Sequence, residues 1–208
     1  MILSIVGIVL AYLLGAIPFG YIIAKYWAKI DIRKEGSGNI GATNALRIMG
    51  KKAGVTVLIL DLLKGTLAVM LIGRLFYEGA AGSNQLAYVY IIAIAAICGH
   101  VWTIFLSFKG GKGVSTALGV LIGLSSYDVK FGLILLLLLC VWFLVVYFSK
   151  YVSLASIIAA IVLPIGLSIF MRSIPALIFG IMVAFIVIYS HRQNVHRLLT
   201  NTEKKIQL

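Results

Sequence analysis

One short run, Phe108–Val114 (FKGGKGV), combines three glycines with two lysines between two apolar stretches. Glycine lets backbone N–H groups turn toward a common point and approach a ligand closely, and lysine adds a point charge. These residue types therefore predict an anion cradle, and hence a phosphate site at a membrane surface. The alternative is a tight basic turn between two transmembrane helices, which obeys the charge rule for cytoplasmic loops.

A second run, Gly36–Arg47 (GSGNIGATNALR), has a similar character. Its glycines permit a backbone nest, and Ser37 and Thr43 supply hydroxyl groups. If a helix begins near Ala42, Thr43 and Arg47 lie at i and i+4 on one face, where the guanidinium can bind phosphate through two hydrogen bonds. A flexible loop followed by a capped interfacial helix is the alternative.

Three ionisable residues, Asp61, Lys64 and His100, lie inside apolar segments. Asp61 and His100 each lie seven residues from the cytoplasmic end of their predicted helices. Both are therefore about 10 Å below that end, so their side chains can meet. Ionisable groups at that depth are costly unless they pair or line a wet cavity, which makes them candidates for supporting roles at a site. The alternatives are an Asp61–Lys64 ion pair that orients its helix and a hydrogen-bonded structural role for His100, which we favour over catalysis.

The C-terminal polar run, HRQNVHR, places His191 and Asn194 on one helical face and Arg192 and Arg197 on others. The arginines alone are typical lipid-phosphate anchors. An imidazole and an amide on a shared face are suited to holding a hydroxylated substrate. Ser153, at the start of another apolar segment, is either a helix cap, which we favour, or a further phosphate ligand.

The elements that must position these residues are membrane helices. Hydrophobic residues make up 62% of the 208 positions and the mean hydropathy is +1.11, far above the values of a soluble domain. The net charge of +12 suits anionic head groups, anionic substrates, or both. The six acidic residues are scattered rather than paired, which argues against metal-dependent phosphotransfer and predicts no metal site.

The apolar runs predict an all-α, polytopic integral membrane protein in which residues 1–208 form a single domain with seven transmembrane helices. The predicted spans are 2–24, 54–76, 86–107, 114–126, 131–149, 152–170 and 176–190. The link from Glu78 to Gln85 has no Lys or Arg, so we predict that it is external. The basic loops then share one side, with the N-terminus outside and the C-terminus cytoplasmic.

The fourth segment leaves an alternative topology open. It has only about 13 residues, or roughly 20 Å, so it can be a tilted or re-entrant element instead of a full crossing. Two other functions also fit parts of the pattern: a transporter of an anionic phosphorylated solute, and a membrane scaffold that binds anionic lipid. The polar clusters gather toward one side rather than the midplane, which argues against the transporter.

Five fragments in this order resemble one family: EGSGNIGATNALR (35–47), DLLKG (61–65), GHVWTIFLSFKGGKGVST (99–116), YVSLAS (151–156) and HRQNVHRLL (191–199). They are similar to the bacterial membrane glycerol-3-phosphate acyltransferases that use acyl phosphate as donor, the PlsY family. The resemblance implies seven transmembrane helices in the bacterial plasma membrane and an active site on the cytoplasmic face. It also implies transfer of a fatty acyl group from acyl phosphate to the 1-hydroxyl of sn-glycerol 3-phosphate, giving lysophosphatidic acid and phosphate in phospholipid biosynthesis.

The resemblance also implies roles for individual residues. It places Ser37, Thr43, Asn44 and Arg47 of the first loop, Gly110, Gly111 and Lys112 of the glycine turn, and His191 with Asn194 at the substrates, and it suggests no cofactor and no nucleic acid. Two positions depart from the family pattern: Thr103 stands where proline is common, and Asn201 where a glycine usually follows the last helix.

Acyl phosphate is a mixed anhydride, so we expect the protein to supply positioning and positive charge rather than a nucleophile. We predict direct attack without an acyl-enzyme intermediate. The hydroxyl proton is accepted by His191 or by a substrate phosphate oxygen, and we favour the phosphate because the surroundings are so basic. We further expect loops from distant parts of the chain to gather into one cationic pocket at the inner leaflet.

Overall fold

The computed structural model describes residues 2–77 and 85–206, without the side chain of Tyr77, and the regular structure over these residues is helical throughout. The predicted all-α class is therefore confirmed. The residues predicted as an external link, from Glu78 up to Gln85, lie outside the described part of the chain except for Gln85 itself.

The chain forms two compact units, Met1–Gly123 and Leu124–Leu208. Unit 1 holds α1 (Ile2–Ala16), α2 (Phe19–Ile23), α3 (Ala42–Met49), α4 (Lys51–Leu67), α5 (Arg74–Tyr77), α6 (Gln85–Val101) and α7 (Val114–Leu124, which ends one residue past the boundary). Unit 2 holds α8 (Lys130–Ser149), α9 (Val152–Met171), α10 (Ile174–Ser190) and α11 (Arg192–Leu199). Short π-helical turns, Ala24–Ala28 and Ala68–Gly73, extend α2 and α4.

A helix occupies each of the seven predicted spans. By length and composition, five described segments can cross a membrane: Ile2–Ala28, Lys51–Phe76, Gln85–Leu106, Lys130–Ser149 and Val152–Met171. α10 and α11 make a sixth if their 59° bend lies within one span. α7 has 11 residues, or about 16 Å, which is too short for a hydrocarbon core of about 30 Å. Seven full crossings and the sidedness of the termini stay predictions.

The third predicted span, 86–107, corresponds to the segment Gln85–Leu106, but it is not one continuous helix. α6 ends at Val101, and a separate 3₁₀ turn follows at Ile104–Leu106. The apolar residues of that turn hid the helix end from a hydropathy argument. The predicted position of His100, seven residues before the helix end, is therefore wrong, because only Val101 follows it in α6.

A break between α1 and α2 at Ile17 and Pro18 leaves backbone carbonyls that need partners, since proline has no N–H to continue the helix. The Thr103 hydroxyl donates to the carbonyl of Ala16 at 2.6 Å, and the Lys64 ammonium donates to that of Ile17 at 2.9 Å. Thr103 has φ −70°, which proline also adopts, so the departure from the family pattern keeps the backbone and adds a hydrogen bond.

α4 and α7 approach each other closely through two glycines. A Cβ on Gly65 would overlap the carbonyl oxygen of Thr116, and a Cβ on Gly119 would overlap that of Leu62. The Thr66 hydroxyl donates across the same contact to Gly119 O at 2.9 Å. α7 is thereby fixed against α4, and with it the end of the glycine turn.

Unit 2 is built from consecutive long helices, with α9 packed against both α8 and α10. Its buried core includes Phe131, Ile134, Leu163, Leu167, Phe179 and Val183. α10 ends at Ser190, and α11 leaves it at the 59° bend. That bend carries the polar C-terminal cluster.

Candidate active site

The first loop of unit 1 is held together by one buried amide. Asn44 Nδ2 donates to the carbonyls of Glu35 at 3.0 Å, Asn39 at 2.9 Å and Ile32 at 3.5 Å. Asn44 Oδ1 accepts from Ser37 N at 3.0 Å, and the side chain is only 2% exposed. Both amide hydrogens are thus engaged with backbone. Contrary to its predicted role as a substrate ligand, Asn44 has the geometry of a scaffold for the loop.

The neighbouring predicted ligands face outward. The helix begins at Ala42 as predicted, and Thr43 and Arg47, one turn apart on α3, are both exposed, as is Ser37. In the described parts of the chain, the side chains of Ser37, Thr43 and Arg47 have no hydrogen-bonding or charged partner. An exposed guanidinium without an acidic neighbour is well suited to an anionic ligand.

Another arginine of this region, Arg33, is engaged by the protein itself. Arg33 forms two hydrogen bonds with Asp31, from Nε at 2.9 Å and from an outer nitrogen at 2.7 Å, and its guanidinium lies 4.8 Å from the Tyr21 ring centroid. The hydrogen bonds from Arg33 lower the pKa of Asp31 to about 2. The charge of Arg33 is therefore compensated locally, whereas that of Arg47 is not.

The glycine turn is folded back on the end of α6. Gly110 N donates to Val101 O, and Gly111 N donates to His100 O, both at 3.0 Å. A Cβ on Gly110 would overlap the His100 carbonyl, and one on Gly111 would overlap the His100 ring. These glycines therefore permit close packing, and the prediction that their N–H groups point at a phosphate is wrong, because both amides are already bonded.

The remaining donors of the turn lie further along it. Gly113 has φ +83°, a conformation that favours glycine and starts the chain into α7. The first-turn N–H groups of a helix have no intrahelical acceptor, so the start of α7 is a potential anion contact. Lys112, half-buried, immediately precedes it, whereas Lys109 is exposed.

The buried ionisable residues of unit 1 meet, as predicted. Lys64 Nζ lies 2.9 Å from Asp61 Oδ1, at i, i+3 on α4, and His100 Nδ1 lies 3.6 Å from the same oxygen. All three side chains are at most 4% exposed. The cluster lies beneath the glycine turn because His100 contacts Gly111.

In unit 2, the two predicted substrate-binding side chains are buried at the bend between α10 and α11. His191 Nδ1 lies 2.8 Å from the Val187 carbonyl. A carbonyl only accepts, so Nδ1 carries a proton and donates it to Val187 O. Asn194 Oδ1 is buried and has no hydrogen-bond partner among the described residues. An acceptor of this kind is suited to a ligand hydroxyl.

Glu203 is the residue that sequence reasoning missed. Its carboxylate accepts from Ser153 Oγ and Asn194 Nδ2, each at 2.6 Å, and from Arg197 Nε at 2.7 Å. Burial works against ionisation here, but the hydrogen bonds from Ser153, Arg197 and Asn194 outweigh it, so the pKa of Glu203 is lowered. The only signal in the sequence was a lone carboxylate in a basic tail.

Two predictions for unit 2 need correction. The N-cap of α9 is Tyr151, so Ser153 is not the helix cap, and its hydroxyl donates to Glu203. Arg197 does not point away from Asn194, because both side chains share the Glu203 carboxylate.

A tight reversal brings Glu203 back to this cluster. Asn201 has φ +55°, the left-handed conformation that asparagine tolerates better than most residues, which explains why it can replace glycine here. Thr202 N then donates to Arg197 O at 2.8 Å, and Ile206 N donates to Lys150 O at 2.9 Å.

The predicted site residues therefore form two groups in unit 1 and one group in unit 2. Unit 1 joins the outward hydroxyl and guanidinium groups of the first loop, and separately the glycine turn with its buried ionic cluster. Unit 2 joins His191, Asn194 and Ser153 through the bend and Glu203. That the groups act on one pair of substrates stays a prediction. No cluster of three or more His, Cys, Asp or Glu side chains suited to a metal occurs in the described residues.

Comparison with known proteins gives a consistent result. A family model described as glycerol-3-phosphate acyltransferase matches residues 5–201. The glycerol-3-phosphate acyltransferase of Desulforamulus reducens is 43% identical over 99% of this chain and 96% of its own length. That of Endomicrobium trichonymphae is also 43% identical, over 100% and 98%.

Solved structures also match. The chain superposes on a crystal structure of PlsY, an integral membrane glycerol 3-phosphate acyltransferase, in its glycerol 3-phosphate form, with a TM-score of 0.85, 37% identity, and coverage of 98% of this chain and 96% of that one. The lysophosphatidic acid form gives a TM-score of 0.81 with 36% identity, over 98% and 95%.

Proposed function

The chain belongs to the glycerol-3-phosphate acyltransferase family, and on that premise we propose that it acylates the 1-hydroxyl of sn-glycerol 3-phosphate with acyl phosphate as donor. The products are lysophosphatidic acid and inorganic phosphate, and the reaction serves phospholipid biosynthesis. Solved forms of PlsY named for glycerol 3-phosphate and for lysophosphatidic acid support this acceptor and this product. Family membership favours an enzyme over the transporter of an anionic solute.

The observation that carries the proposal is the exposed Arg47 guanidinium, which has no partner in the described chain. It projects from α3, the helix that follows the loop fixed by Asn44. Two phosphorylated substrates repel each other strongly in a poorly solvated site, so at least one uncompensated cation must lie beside them. We assign Arg47 and the hydroxyls of Ser37 and Thr43 to a substrate phosphate.

The glycine turn supplies the second set of phosphate contacts in this proposal. Because the Gly110 and Gly111 amides bond to α6, these residues shape the turn, and the contacts come from the Lys112 ammonium and the N-terminus of α7. Gly110 and Gly111 remain substrate-binding residues only through the close approach of their backbone.

His191 and Asn194 hold the glycerol hydroxyls in this scheme. His191, fixed by its Nδ1–H bond to Val187 O, lies beside the glycerol, and Asn194 Oδ1 accepts a hydrogen bond from the 2-hydroxyl. The proton of the attacking 1-hydroxyl is thereby left for a substrate phosphate oxygen. The 1-hydroxyl oxygen bonds to the acyl carbonyl carbon while the bond from that carbon to the phosphate oxygen breaks. The hydroxyl proton passes to a substrate phosphate oxygen, since phosphate leaves as a competent base.

Direct transfer agrees with the surroundings of Ser37, an exposed serine of the first loop. Ser37 Oγ has no hydrogen-bonding base in the described chain, and an acyl-enzyme route requires such a base to activate the nucleophile. Burst kinetics or a labelled acyl-protein after rapid quenching would contradict direct transfer.

We place the reaction at the cytoplasmic face of the bacterial plasma membrane, where the basic loops are expected, and the acyl chain among membrane lipids. Single cysteines at Lys34 and Lys204, in a background lacking Cys98 and Cys140, test this. Both are expected to react with a membrane-impermeant maleimide only after the membrane is opened; labelling in intact cells contradicts the orientation.

The decisive experiment supplies purified protein with glycerol 3-phosphate and, in separate reactions, acyl phosphate, acyl-CoA and acylated acyl carrier protein. We expect lysophosphatidic acid and stoichiometric phosphate from acyl phosphate alone. Product formation from either of the other donors, with acyl phosphate inert, overturns the proposed donor while leaving the family assignment intact.

A further inference from the structure

We propose that Asp61 and His100 are positioning residues that set the shape of the glycine turn from below, without touching substrate. The inference rests on the proposed function in one respect, namely that this turn contacts a substrate phosphate. Lys64 belongs to the same cluster as the cation that holds Asp61 in place.

His100 contacts the turn in two independent ways. Its backbone carbonyl accepts the Gly111 N–H at 3.0 Å, and its ring lies where a Gly111 Cβ would be. The ring therefore forms a floor against which the Gly111 backbone rests. If the ring turns, Gly111 loses its floor, and Lys112 moves with it because the two residues are joined by one peptide.

The ring also lies beside buried charge. His100 Nδ1 lies 3.6 Å from Asp61 Oδ1, and the same oxygen lies 2.9 Å from Lys64 Nζ. With all three side chains at most 4% exposed, water cannot replace these contacts, so removing one partner leaves an uncompensated charge or dipole. Packing against Gly111 and the nearby Asp61 carboxylate therefore both favour the observed orientation of the ring.

The cluster is in turn anchored to the break between α1 and α2. Lys64 Nζ donates to Ile17 O at 2.9 Å, so Lys64 has fixed partners on both sides. A continuous series of contacts thus runs from Ile17 through Lys64, Asp61 and His100 to Gly111. A purely local ion pair that oriented α4 would not need its last two members.

The test compares the effect of an added methyl group in two backgrounds. In the natural sequence, Gly111→Ala places a Cβ against the His100 ring, and we expect the catalytic efficiency to fall on the order of 100-fold. In a His100→Ala background the ring is absent, so the same Gly111→Ala change should cost about tenfold less, because the two positions are in contact.

Gly110→Ala is the matched control. Its Cβ overlaps the backbone carbonyl of His100, which His100→Ala retains, so its cost should be equal in both backgrounds. If Gly111→Ala costs as much with alanine at 100 as with histidine, the inference is overturned. If natural protein forms no product from acyl phosphate, or Gly111→Ala and Lys112→Ala both retain normal rates, the proposed function of the turn fails instead.

Asp61→Asn gives a second measurement that does not depend on the folding of His100→Ala. It preserves shape while weakening the hold on the ring. Positioning predicts a KM for acyl phosphate or glycerol 3-phosphate raised on the order of tenfold with kcat nearly unchanged. A lower unfolding temperature and smaller active fraction, with both KM values unchanged, indicate a structural role only and overturn the inference.

Discussion

Two buried asparagines, one in each unit, are used in different ways. Asn44 in unit 1 uses both amide hydrogens on the backbone of its own loop, while the nearby Arg47 is left exposed without a partner. Asn194 in unit 2 donates to Glu203, which also engages Arg197, while Asn194 Oδ1 is left buried and unpaired. Unit 1 therefore offers an uncompensated cation, and unit 2 offers a neutral acceptor.

The difference matters because glycerol 3-phosphate has both an anionic end and hydroxyl groups. A region whose arginine has no acidic partner is suited to the phosphate. A region whose arginine is paired with a carboxylate of the protein is suited to a hydroxyl. Arginine and asparagine thus have different uses in the two polar regions, and their hydrogen-bonding and charged partners determine the use.

The strongest test of this comparison replaces the unmatched arginine. Arg47→Ala should lower the catalytic efficiency on the order of 100- to 1,000-fold, because the proposed function places this charge beside the reacting phosphates. Initial rates with purified protein measure this. Arg33→Ala is the control, since Asp31 already compensates that charge, and its rate should stay within about twofold of the natural protein. Equal losses in the two variants would contradict the comparison.

A second test removes the carboxylate that is paired with Arg197 in unit 2. In Glu203→Gln, an amide group faces donors from Ser153, Asn194 and Arg197, so the free energy of unfolding should fall by about 1.5–3 kcal/mol, as expected for hydrogen bonds to a charged group. Thermal unfolding in detergent checks this. Glu35→Gln, at an exposed position, should leave the midpoint unchanged; a similar drop there would show a general effect of charge removal.

Some helix boundaries could be predicted from the sequence, and others could not. The boundaries of α8, α9 and α10 follow from long apolar runs, and the start of α3 at Ala42 follows from the residue pattern after Gly41. The end of α6 at Val101 could not be found this way, because Ile104–Leu106 is as apolar as the helix. Composition reports what a segment is buried in, not where its hydrogen-bond pattern stops.

The candidate site shows the same limit at the level of single groups. Glycines correctly marked the turn at Gly110, but not the direction in which its amide points. Glu203 lies beyond a reversal at Asn201, so its contact with Asn194 depends on one left-handed residue. Residue types identified most of the candidate residues, whereas the assignment of their hydrogen-bond partners required coordinates.

Lowering the pH sharpens the comparison, because it protonates the Glu203 carboxylate that compensates Arg197 in unit 2. The pKa of Glu203 is lowered from an ordinary value of 4.5, so its stabilising effect is complete above that value and is lost as the pH falls through the lower folded-state pKa. The difference in unfolding temperature between the natural protein and Glu203→Gln should therefore be constant near neutrality and shrink below about pH 4.5. A difference that persists undiminished at lower pH would assign the effect to packing.

The smallest effect is expected away from both groups. Thr103→Pro restores the common family residue at φ −70°. It loses the hydroxyl's bond to Ala16 O and the bond that the hydroxyl accepts from Phe105 N, but it stiffens the unfolded chain. These terms are each about 1 kcal/mol or less and opposite in sign, so stability and rate should hardly change. Thr103→Val, which loses both bonds without the stiffening, should be the less stable variant in the same unfolding assay.

The shortness of α7 affects how the protein responds to the thickness of the bilayer. α7 is too short to reach both head-group layers, and none of its residues is exposed. Hydrophobic mismatch therefore acts on the long helices and reaches α7 only through them.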